Sequence, residues 1–142
     1  MKKLIIISLI AAVAAFATAC GSSTGGDAAA TGKPIKSGPA GNLTATLSNA
    51  DGVLKKGKQD LKLSFTDAAG KPVDVGSASL NFYMPAMGSM AAMNDAATLT
   101  TSGTAGVYNA KVDLQMGGEW QAQISYEGAA GKGKATLTVS AQ

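Results

Sequence analysis

The chain has 142 residues with 18 Gly, a single Cys, no His and no Arg; 46% of residues are hydrophobic and 15% charged. That length suits one domain. One Cys excludes an intrachain disulfide framework and a thiolate-rich zinc site, and the lack of His removes the commonest general base and metal ligand. The formal net charge of +3 falls to +1 once Lys2 and Lys3 are set aside with a removable leader, leaving ten Lys against nine acids; this is no footprint for nucleic acid, and no Arg offers a bidentate phosphate fork.

The N-terminus reads as an address. Met1-Lys2-Lys3 is positive, Leu4 to Phe16 is apolar apart from Ser8, and the small residues Ala17-Thr18-Ala19 precede Cys20. A charged start, an apolar core and a small-residue cleavage site make a secretory signal over 1–19. The ending Ala17-Thr18-Ala19-Cys20-Gly21 resembles a bacterial lipobox. That resemblance implies cleavage before Cys20, acylation of Cys20, and an extracytoplasmic protein anchored by lipid to a membrane of the cell envelope; two or more acyl chains hold stably where one does not. Residues 20–41 are rich in Gly, Ser, Thr, Ala, Lys and Pro with Ile35 as the one branched apolar residue, so they read as the lipidated Cys and a flexible linker.

From Asn42 the apolar residues alternate with period two: Leu43, Ala45, Leu47; Leu61, Leu63, Phe65; Leu80, Phe82, Met84; Tyr108 to Leu114; Trp120 to Tyr126; Ala135, Leu137, Val139. Leu99 sits among threonines. Such alternation predicts strands with one buried face. Turn signals separate them at Asp51-Gly52, Ala69-Gly70-Lys71-Pro72, Ser102-Gly103, Gly117-Gly118 and between Gly128 and Gly133. About seven strands over 42–142 predict an all-β, immunoglobulin-like antiparallel β-sandwich, with an open barrel as the alternative. The Cys-Trp-Cys core of antibody domains is absent, so apolar packing around Trp120 holds the domain.

Between the third and fourth of these strands lies Phe82-Tyr83-Met84-Pro85-Ala86-Met87-Gly88-Ser89-Met90-Ala91-Ala92-Met93. Four of the six methionines fall here at a spacing of three; Met1 is the initiator and Met116 lies in the Gln115-Met116-Gly117-Gly118 turn. A spacing of three suits a polyproline-type or 3₁₀ segment whose thioethers share one side. Thioethers are soft and uncharged and select Cu(I), and by the same argument Ag(I), over Zn(II), Ca(II) or Mg(II). The candidate metal ligands are therefore Met84, Met87, Met90, Met93 and Met116. Met84 also continues the Leu80-Phe82 face into the core, and methionine is a common gap-filler in cores and on docking surfaces. If consecutive strands are antiparallel, Met116 and Trp120 lie at the pole that carries this loop, where the indole face could meet a bound cation. The Lys55-Lys56-Gly57-Lys58 run would share that pole and is read as a solvated turn.

Three segments together carry a resemblance: Phe82-Tyr83-Met84-Pro85-Ala86-Met87-Gly88-Ser89-Met90, Gly106-Val107-Tyr108-Asn109-Ala110-Lys111-Val112-Asp113-Leu114, and Met116-Gly117-Gly118-Glu119-Trp120-Gln121. With Leu63 to Val75 before them, they are similar to the FixH-like/YtkA-like domain family. The resemblance implies an immunoglobulin-like extracytoplasmic domain that occurs beside heavy-metal efflux adaptors and copper-handling systems, with a FixH branch linked to cation pumping and oxidase assembly. By position Met84, Met87, Met90 and Met116 match the motif and Met93 extends it. Ser89 stands where many relatives carry His, which removes an imidazole and disfavours Cu(II). The expected function is soft-metal binding by a lipoprotein, with Cu(I) or Ag(I) as the ion. The alternative is a metal-free module docking on an efflux or oxidase-assembly partner. With Cys20 consumed by lipid and no carboxylate pair at a telling spacing, no enzyme is expected.

Overall fold

The computed structural model describes residues 32–142; the expected leader and Cys20 lie outside the described residues. The elements are β1 (Lys33–Ala40), β2 (Leu43–Asn49), β3 (Gly57–Thr66), β4 (Ser77–Met84), β5 (Met93–Ala96), β6 (Thr98–Thr101), β7 (Val107–Leu114), β8 (Gly118–Gly128) and β9 (Gly131–Ala141). They form two antiparallel sheets, one ordered β1-β2-β3-β7-β6 and the other β5-β4-β8-β9. The described residues thus form an all-β sandwich and not an open barrel. Among the described residues nine strands replace the expected seven: the Leu99 element is the short β6, and the two additions are β1, which precedes the first alternating run, and β5, which the methionine segment supplies.

The alternating sets all face inward. Leu61, Leu63 and Phe65 on β3, Leu80, Phe82 and Met84 on β4, and Trp120, Ala122, Ile124 and Tyr126 on β8 are buried in one core. Phe65 sits at its centre, edge-on to Tyr108 (centroids 6.0 Å apart, 82°) and to Tyr126 (5.3 Å, 65°), the geometry the ring quadrupoles favour. The Tyr126 hydroxyl donates to Ala40 O at 3.0 Å. That of Tyr108 donates to Gly76 O at 2.9 Å and to Asp74 Oδ1 at 3.3 Å. Burial, helped by the Asp74 charge, pushes the Tyr108 phenol above its ordinary pKa.

β1 corrects the linker expected over 20–41. Its register with β2 runs from Lys33 opposite Asn49 to Ala40 opposite Leu43, through a two-residue Gly41-Asn42 turn. The strand needs no apolar face, because its backbone bonds to β2 order it while only Ile35 and Ala40 pack toward the core. Pro34, Pro39 and a register shift between Pro34 and Lys36 are tolerated because β1 is an edge, and they blunt that edge against further pairing. Gly38 lies hard against Leu137 Cδ2, which seats β1 beside β9.

One pole gathers the end of β4, the start of β5, the end of β7 and the start of β8. Gly57 pairs with Leu114 and Gly118 with Ala141, so β3 begins and β9 ends there too. β1 runs away from this pole, since Lys33 pairs with Asn49 at the end of β2 nearest it.

Candidate functional site

The methionine segment is a β-hairpin. β4 and β5 pair in a register that sets Asn81 opposite Ala96, Phe82 opposite Asp95, Tyr83 opposite Asn94 and Met84 opposite Met93. The same register resumes at the tip, where Met87 and Met90 exchange both backbone bonds, Met87 N–H to Met90 O at 3.1 Å and Met90 N–H to Met87 O at 2.9 Å. Between them Gly88 has φ +57° and Ser89 is not in the left-handed region, as a type II′ turn requires. The four methionines are therefore two directly opposed pairs nested about one turn, Met84 with Met93 and Met87 with Met90. This corrects the expected polyproline or 3₁₀ segment: the spacing of three arises from a two-residue turn flanked by paired legs.

Directly opposed residues share a face, and successive residues alternate. Met84 faces the core and is 2% exposed; Met93 opposite it is half-buried and packs on the same core. Three residues further along the leg, Met87 is 54% exposed and Met90 39%, the exposed large hydrophobics among the described residues. From Met84 to Met93 the hairpin carries no charged side chain. Its tip thus presents two neutral soft donors and nothing that would attract a hard cation.

The remaining candidates lie beneath. Continuing the β4–β8 register, which sets Tyr83 opposite Gln121, puts Met84 level with Trp120. Met84 Cε would stand 3.2 Å from a Cβ added at Gly118, so this side chain reaches the Met116-Gly117-Gly118 turn. Trp120 is fully buried, and its indole N–H donates to Met116 O at 3.1 Å. Met116 is half-buried on the core. Asp95 Oδ2 accepts from Gln115 N–H at 3.2 Å and ties this turn to β5. On the outer face, the Asn81 amide donates to Asn94 Oδ1 at 2.6 Å and to Gln123 Oε1 at 3.4 Å, so the hairpin root is clamped from both sides.

The structure therefore gathers Met84, Met93, Met116 and Trp120 into a packed layer at one pole and sets Met87 and Met90 above it as an exposed pair. The Lys run shares the pole as expected; Lys55 pairs with Asp51 at 2.6 Å in solvent, which lowers the Asp51 pKa. Among the described residues no group of three or more His, Cys, Asp or Glu is placed to hold a metal ion. Sequence reasoning missed the hairpin and the Asp95–Gln115 link. The signal for the first was Gly88-Ser89, a two-residue turn pair between candidate legs; for the second there was none.

A family model described as YtkA-like matches residues 39–125, from the end of β1 into β8. No curated protein and no solved structure matches the chain.

Proposed function

This chain belongs to the YtkA-like family, and from that premise we propose that it binds a soft monovalent metal ion, Cu(I) or Ag(I), through its methionine hairpin in extracytoplasmic metal handling or efflux. The observation that carries this reading is the exposed Met87–Met90 pair on an uncharged tip whose root is clamped from both sides. Thioethers coordinate soft ions without first losing a proton. Met87 and Met90 are the primary donors, with half-buried Met93 next along the hairpin. Met84 and Met116 support the tip through the core beneath it.

The lipobox-like Cys20 supports a lipid anchor in the cell envelope, the family resemblance supports a heavy-metal efflux partner, and its FixH-like side supports an oxidase-assembly partner. The role is that of a binding protein rather than an enzyme. The test is an anaerobic titration of Cu(I) against a chromophoric chelator, with wild type beside a variant in which Met87, Met90 and Met93 are changed to Ser. Stoichiometric binding lost in the variant, and held between about pH 7 and 5 because no donor titrates there, is the expected result. Equal competition by both proteins, or none by either, refutes the thioether site.

The second reading is a metal-free docking module, favoured by the same two methionines as exposed apolar side chains at a tip. It requires that the Ser variant lose partner capture in the presence of a metal chelator.

A further inference from the structure

The tip holds two donors where a soft ion of this kind is best served by three or four thioethers. Met84 cannot supply a third without breaking the hairpin, because it is 2% exposed on the core side, three residues down the leg, and Met93, its directly opposed partner, is half-buried against the same core. Met116 is held at the turn whose carbonyl caps Trp120. No carboxylate lies between Met84 and Met93 to complete the set.

Resting on the soft-metal reading above, we propose that the Met87–Met90 pair is half a site, completed by the same pair from a second copy of this chain. Two chains then hold one Cu(I) or Ag(I) between their hairpin tips. The pair exchanges both backbone bonds, which sets its Cα atoms about 5.5 Å apart with both side chains on one face. Two unbranched thioether chains from that base converge on a single ion, and an isologous two-fold arrangement presents the identical pair from the other side. The approach is open: Ala86, Gly88, Ser89 and Ala91 around the pair are small, and a Cβ added at Gly88 meets nothing within 4 Å. It is also free of like-charge repulsion, since neither tip carries a charge.

The experiment adds Ag(I), as the nitrate, to the full chain in detergent and reads the assemblies by native mass spectrometry. With about half an equivalent of ion per chain, the main metal-bearing species is two chains with one ion; with excess ion it gives way to single chains carrying their own ion, as mass action requires. Met87→Leu and Met90→Leu together lower the ion-bridged pair by about tenfold or more, because apolar side chains of similar size donate nothing. Ser89→Ala, a change on the same turn that removes no sulfur, leaves the bridged pair unchanged. One ion on one chain at half an equivalent, whatever the protein concentration, overturns the half-site while leaving the soft-metal reading standing. A pair of equal abundance without metal also overturns it. No ion retained by the wild-type chain overturns the soft-metal reading itself.

Discussion

Met84 and Met87 are three residues apart on one strand leg, yet they should respond oppositely to truncation. Met84→Ala removes three heavy atoms from a side chain that is 2% exposed. Lost transfer from water accounts for about 2.5 kcal/mol. The void beside Trp120 and the Met116 turn adds about 1 kcal/mol if neighbours close it only in part. Met87→Ala removes the same atoms from a side chain that is 54% exposed and should change stability by no more than about 0.5 kcal/mol. Urea unfolding followed by Trp120 fluorescence measures both, and Trp120 is the one tryptophan of the chain. In the same samples Met87→Ala should weaken Cu(I) competition, although it leaves the unfolding midpoint in place. Equal losses of stability in the two variants would refute the division into a packing layer and an exposed pair. So would a Met84→Ala chain as stable as the wild type.

Two further outcomes follow from the opposite side of the fold. Gly106 has φ +74°, and a Cβ there would lie 2.5 Å from Val73 O and 2.8 Å from Val73 N; Gly106→Ala should cost about 3 kcal/mol, from left-handed strain plus backbone displacement, and a loss under about 1 kcal/mol by urea unfolding would contradict this packing. Tyr108→Phe should cost about 1 kcal/mol near neutral pH by removing the hydroxyl bond to Gly76 O. Because the folded Tyr108 pKa is raised, its contribution is complete below the ordinary value of about 10 and is lost as pH rises through the raised value. The gap between wild type and Tyr108→Phe should therefore narrow above about pH 10, and a gap that stays constant there would remove the phenol from the account.

The parts of the fold that depend on burial were legible in the sequence. Leu61-Leu63-Phe65 and Trp120-Ala122-Ile124-Tyr126 alternate because one face of each strand meets the core, and period two records that directly. β1 left no such record: its order comes from backbone bonds to β2, which carry no side-chain pattern, and its Gly and Pro content reads as tether. The candidate site was half legible. Residue type identified the methionines, since soft donors are rare at such density. Their arrangement depended on where the chain reverses, and a spacing of three is shared by a three-fold helix and by a two-residue turn with one paired residue on each side. Only the Gly88-Ser89 dipeptide separates the two. The burial of Met84 followed from its place after Leu80 and Phe82. That Met116 O would cap the Trp120 indole had no counterpart in the pattern, because a carbonyl carries no side-chain signature.

The direction of β1 bears on where the tips stand above a surface. Because β1 runs away from the methionine pole, the chain enters the sandwich from the side on which that pole lies. With lipid on Cys20 as proposed above, residues 21–31 span at most about 40 Å between the acylated residue and Gly32. The hairpin tip lies at the same pole as that entry, so its distance from the bilayer is set by this reach without the length of the sandwich added to it. Neighbouring chains anchored in that way would exchange three-dimensional search for lateral diffusion. Their effective concentration for one another is then set by surface density and reach rather than by bulk amount.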